Sequence, residues 1–255
     1  MTLKKITGIA GIALSSVIMT ISSCDPTVDL SNPVEADPRI TNYTFNGSEG
    51  DPITLQTALS WYANYSSTNN INVKAHFFGA NVMKKILATS NVIGIRIYYS
   101  IDDGGNNQLL LIGADDHGND QTPLLGAKGI SSSLDISDST ITDTFTGLEE
   151  TWVSEEVSKQ WIANYASRYP QGLIAHFFGF QIINQILNET DCIGIRMYYA
   201  LNDSGVQQIL LVGVNSKGEN ILPLSDSGGK VMDGGNTVAD ASFPCPTYCS
   251  GGGGQ

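Results

Sequence analysis

The sequence predicts an α+β fold: tandem duplicated ααβββ modules with antiparallel strands, packed as a pseudo-two-fold pair. Three observations point there. A gapless internal match carries residues from about Ile53 to Leu124 onto Val153 to Leu224, with roughly two positions in five identical. Ala75-His76-Phe77-Phe78-Gly79 returns letter for letter as Ala175-His176-Phe177-Phe178-Gly179. Within each copy, residues with a helical period precede residues that alternate with a period of two. Two copies are too few for a solenoid, so a packed pair is expected.

Each element follows from its residues. In the second copy Ser154 caps a helix that opens with Glu155 and Glu156, acids favoured at the positive helix end. Val157, Trp161, Ile162 and Tyr165 share one face of it, and Tyr169-Pro170-Gln171-Gly172 ends it. A second helix places Phe178, Ile182, Ile183, Ile186 and Leu187 together, matched by Phe78, Val82, Met83, Ile86 and Leu87. The repeated AHFFG stands at its start. A strand follows, with Ile93, Ile95, Ile97, Tyr99 and Ile101 on one face and Gly94, Arg96, Tyr98 and Ser100 on the other. The second copy repeats it with Ile193, Ile195, Met197, Tyr199 and Leu201. Turns at Asp102–Asn106 and Asp115–Gly118 lead into two further strands, and helices are expected to cover the isoleucine face.

The outer strand face raises a question. Arg96 and Tyr98, with Arg196 and Tyr198, lie opposite the isoleucines, and the next strand is apolar on both faces through Leu109, Leu110, Leu111 and Ile112. A free antiparallel sheet is polar towards water. Something therefore covers this face: the other module, the segment from Lys230 to Pro246, another subunit, or a ligand. Arg and Tyr beside apolar area suit a binding face. The plainer reading is a contact within the chain, with Arg paired to a turn Asp.

His76 and His176 are the candidates for chemistry, because His titrates near neutral pH. No HExxH, no GxSxG and no carboxylate at a matched spacing accompanies them. Packing is the plainer role, and meeting near the two-fold to share a metal is the alternative. No metal site is assigned. Asp115-Asp116-His117-Gly118 resembles a calcium loop only superficially, since its counterpart Asn215-Ser216-Lys217-Gly218 has no carboxylate. Cys192 reads as a small buried residue, and Cys245 and Cys249 are a candidate disulfide.

The ends give the address. Met1-Thr2-Leu3-Lys4-Lys5 precedes an apolar run to Ile21, and the run closes Ile21-Ser22-Ser23-Cys24. This resembles the lipobox of bacterial lipoproteins, which implies acylation of Cys24, as by palmitate. Residues 1–23 are then a signal peptide and 24–50 a tether rich in Pro and acids. Residues 51–126 form the first module, 127–150 a linker, 151–226 the second module, and 227–255 a Gly-rich tail holding CxxxC. The linker contains Asp138-Ser139-Thr140, which resembles an O-glycosylation site of exported Bacteroidota proteins. The net charge is −12, or −14 once Lys4 and Lys5 leave with the signal. Such an acidic body is unsuited to nucleic acid and to anionic lipid.

HFFG, then GIR-x-YY, a DG-type turn, LLxxG and a Gly turn are similar to short Bacteroidota proteins without an assigned activity, so the resemblance implies no functional residues. The expected function is a lipid-anchored, non-enzymatic binding or assembly module of the cell envelope, at the outer membrane. Its expected partners are the membrane, through lipid, and an envelope protein or small ligand, with no cofactor. An envelope enzyme using His76 or His176, and a purely structural pseudo-dimer, are the alternatives.

Overall fold

The computed structural model describes residues 44–68, 73–121, 126–132, 135–137, 145–149, 151–223, 236–240 and 243–245. The signal peptide, Cys24, most of the tether, Asp138–Thr140 and Cys249 lie outside the described residues. The first half supplies β1 (Asp51–Ile53), α1 (Leu55–Thr68), β2 (Ala75–Gly79), α2 (Ala80–Leu87), β3 (Gly94–Ile101), β4 (Asn107–Ala114), β5 (Gly126–Lys128) and β6 (Ile130–Ser132). The second half supplies β7 (Trp152–Val153), α3 (Glu155–Arg168), β8 (Ala175–Gly179), α4 (Phe180–Leu187), β9 (Cys192–Leu201) and β10 (Gln207–Asn215). It ends with β11 (Asn220–Ile221), β12 (Val238–Asp240) and β13 (Phe243–Cys245). The fold is α+β, with four helices and two antiparallel sheets among the described residues.

The AHFFG runs are strands, not helix starts. All five residues of β2 and of β8 are buried. A short apolar run buried on both faces carries no two-residue alternation, and this is why periodicity cannot separate it from the helix that follows. The second copy therefore runs βαβαβββ rather than ααβββ, and the first matches it through β4, with a bridge between Ala114 and Asp120 where β11 stands in the second.

The strands are exchanged between the halves. The first sheet has the order β1-β12-β10-β9-β2-β6, and the second β13-β8-β3-β4-β5-β7. Thus β2 pairs with β9, from Ala75↔Tyr198 to Gly79↔Gly194, and β8 pairs with β3, from Ala175↔Tyr98 to Gly179↔Gly94. Each AHFFG strand joins the GIR-x-YY strand of the other half. Glycine is needed where they meet: a Cβ on Gly194 would lie 2.4 Å from the Phe78 carbonyl oxygen, and one on Gly94 2.4 Å from that of Phe178. Two segments read as connectors also build sheet. Between β5 and β6 the chain leaves the second sheet for the first, and β12 lies between β1 and β10.

The isoleucine faces of β3 and β9 share one core. Ile95, Ile97, Tyr99, Ile195, Met197 and Tyr199 cluster there with Met83 and Ile86 of α2 and Ile183 and Ile186 of α4. Helices cover only part of those faces, because the other sheet supplies much of the cover. The outer faces lie under the long helices. Tyr62 of α1 packs with Tyr198, Leu210 and Val212, and Trp161 of α3 with Tyr98, Leu110 and Ile112. This explains why β4 and β10 are apolar on both sides. Burying each such Leu or Ile contributes about 1.5–3 kcal/mol.

The repeated helix residues latch the exchange. Asn64 of α1 donates to the carbonyl of Leu201 at 3.2 Å, and Asn164 of α3 to that of Ile101 at 3.1 Å. Ser154 caps α3 as its position predicts, accepting from Val157 N–H at 3.3 Å.

Candidate binding site between the two halves

Arg96 is fully buried and Tyr98 nearly so. Arg96 donates to Asp120 and to the Gly118 carbonyl, and Tyr98 donates to Asp120 at 2.6 Å. Arg196 makes the parallel set, to Asn220 at 2.5 Å and to the Gly218 carbonyl at 3.1 Å, while Asn220 donates to Tyr198 at 2.8 Å. Each guanidinium ties its own turn down beneath the chain. As a binding face, the set Arg96, Tyr98, Arg196 and Tyr198 is closed: the face that the sequence leaves open is covered by α1 and α3. Asp120 holds Arg96 firmly protonated despite its burial.

His76 and His176 converge on the boundary between the halves without meeting. His76 Nε2 lies 3.0 Å from the Tyr199 hydroxyl, and His176 Nε2 lies 3.2 Å from that of Tyr99. Tyr99 and Tyr199 stack on each other between them, with centroids 6.1 Å apart. Both imidazoles are fully buried. Burial pushes the His176 pKa down to about 3, so its imidazole is neutral at physiological pH.

The tyrosine pair belongs to a longer row. Tyr65 of α1 stacks on Tyr199 at 5.5 Å, Tyr165 of α3 stacks on Tyr99 at 5.3 Å, and Tyr169 leans on Tyr165 at 4.8 Å. One edge of the row opens into a cleft of about 80 Å³, completed by Ser100, Asn107, Gln108, Leu201 and Gln207. Its lining comes from α1 and α3, the ends of β3 and β9, and the starts of β4 and β10. Tyr165 donates to Gln207 at 3.1 Å. Gln108 is 4% exposed and donates its Nε2 to Asp102 at 2.8 Å, and its Oε1 has no partner among the described residues. Because Asp102 accepts, the amide orientation is fixed by the network.

The remaining candidates make local contacts. Asp115 accepts from the N–H groups of His117 and Asn119 at 3.0 and 2.8 Å, as Asn215 does from those of Lys217 and Glu219. Asp115, Asp116 and His117 lie together, and the same turn recurs in the second half with Asn215, Ser216 and Lys217 at their positions. Cys192 is half-buried, and its thiol donates to the Gly194 carbonyl at 3.3 Å. Cys245 takes part in β13 through its backbone, opposite Ala175.

One repeated feature escapes the sequence reading. Phe45-x-Gly47-x-Glu49 and Phe145-x-Gly147-x-Glu149 are the same motif, one hundred residues apart, inside the expected tether and linker. Gly47 O accepts from Gln181 N–H, and Gly147 O from Asn81 N–H, both at 3.0 Å. Phe45 packs edge-on against Phe177, and Phe145 stacks on Phe77. Each loop thus holds the strand and helix start of the opposite half, so residues 44–50 are docked chain rather than tether. The shared spacing was the available signal. The tyrosine cleft left no such signal, because it joins residues from both copies.

Comparison with protein-family models, curated proteins and solved structures found no match.

Proposed function

We propose that this chain is a lipid-anchored, non-enzymatic binding module of the bacterial cell envelope, held at the outer membrane through Cys24. The tyrosine-lined cleft carries the binding part of this reading: five tyrosines line it with Gln108, whose buried amide oxygen lacks a partner among the described residues. The buried histidines favour binding over catalysis. A general base has to reach the proton it takes, and these two face tyrosines inside the core. In the same reading the halves are copies of one module related by a pseudo-two-fold, and the paired strand exchange supports it.

The anchor is tested by metabolic labelling with an alkyne palmitate analogue. Cys24 is expected to carry label in the membrane fraction, and Cys24→Ser to remove it and release the protein. Equal membrane association of the variant would overturn the anchor. Binding is tested by ligand-observed NMR on the full chain with neutral, charged and apolar small-molecule probes. Saturable binding that depends on Tyr169 is expected, and none in any class would sink the binding reading.

A further inference from the structure

We infer that the tyrosine cleft receives a neutral, hydroxyl-rich ligand, one edge of a saccharide; this rests on the binding reading above. The first argument is charge. Among the described residues the cleft is lined by Tyr, Ser, Asn, Gln and Leu, with no cationic or carboxylate side chain. A charged ligand would lose water there without a counter-charge, and that is costly. Asp102, the nearest carboxylate to Gln108, is occupied by Gln108 itself and by the N–H groups of Gly104 and Asn106.

The second argument is hydrogen bonding. Gln108 lines the cleft, and its amide oxygen is buried without a donor among the described residues, which is costly. A ligand hydroxyl supplies that donor and also accepts from nearby side chains. The third is the ring surface. Tyr169 is 42% exposed and tilts at 45° to Tyr165, leaving ring face for the C–H side of a sugar. A peptide fits less well. Among the described residues Leu201 is the only apolar aliphatic side chain lining the cleft.

The lining also makes this one site rather than two. In the internal repeat the sequence position of Ser100 corresponds to that of Ala200, Asn107 to Gln207, and Tyr169 to Asn69. With about 80 Å³ of room, the cleft takes an edge of a ring and leaves the rest in solvent. Weak affinity, in the millimolar range, is expected.

The test is saturation-transfer NMR and calorimetry on the full chain in a sugar-free detergent. The probes are the methyl glycosides of glucose, galactose, mannose and N-acetylglucosamine. At least one should saturate, with Tyr169→Ala and Gln108→Leu each weakening it by about tenfold. Tyr169→Phe should retain most of the affinity. Tyr169 is exposed, so its variants stay folded even if the Gln108 variant does not. If no glycoside saturates but an N-acetylated tripeptide or an apolar dye binds in a Tyr169-dependent way, the saccharide is wrong and the binding module survives. If no probe binds, both fail. Glycoside binding that is indifferent to Tyr169 would also overturn the assignment.

Discussion

Removing the His176 imidazole should change how stability depends on pH by one proton. Its unfolded value is 6.5 and its folded value about 3. Between these the unfolded chain binds a proton that the folded chain refuses. His176 therefore leaves stability intact above pH 6.5 and lowers it as pH falls. Each pH unit costs about 1.4 kcal/mol, so acidification from 6.5 to 5 costs roughly 2 kcal/mol through this group alone. Glu189 acts in the opposite sense. Burial raises its carboxyl from 4.5 to about 7, so the folded chain holds an extra proton in that window and loses stability as pH rises. The two contributions oppose each other in the native chain, and its profile should be shallow. Urea unfolding across the neutral to mildly acidic range, for native chain and His176→Gln, separates them. The variant should gain stability relative to the native chain as pH falls, by that same roughly 2 kcal/mol down to pH 5. Parallel profiles would refute the buried neutral imidazole, as would a folded-state imidazole titration near 6.5 by NMR.

Other outcomes follow from the same structure. Asp120→Ala leaves the Arg96 charge buried without its counter-ion and should cost about 3–5 kcal/mol in chemical denaturation. Asp120→Asn, which copies the Arg196–Asn220 arrangement of the other half, should cost clearly less. Gly194→Ala drives a methyl into the Phe78 carbonyl and the Phe77 ring and should destabilise by at least about 1–3 kcal/mol in thermal melts. A half-chain spanning residues 44–132 keeps β4 but lacks β8, the other strand that pairs with β3. Size-exclusion chromatography with light scattering should show a dimer or an unfolded chain, and a folded monomer would contradict the exchange.

Much of the core was legible in the residues. Alternation along Ile95, Ile97 and Tyr99 and the matched Ile195, Met197 and Tyr199 marked the inner strand faces, and Ser154-Glu155-Glu156 marked the start of α3. The apolar Leu110 and Ile112 showed that the outer face had to be covered. AHFFG was misplaced because a fully buried five-residue strand reads like the apolar start of a helix. The loops at Phe45 and Phe145 were missed although their spacing was on view, since polar, Gly-containing segments look like connectors whether or not they dock.

The sequence by itself determined the α+β class, the internal repeat, the alternating strand faces and the absence of a recognisable catalytic motif. These depend on local spacing, which the chain carries wherever it folds. Only the tertiary structure decided which half each strand joins, because β2 can complete β3 or β9 with the same five residues and neither choice alters the local pattern. That choice put His76 beside Tyr199 and His176 beside Tyr99, stacked the tyrosines across the boundary, and opened the cleft at Gln108. The candidate site is lined by residues up to 142 positions apart, Tyr65 and Gln207, and such gatherings leave no mark on sequence periodicity.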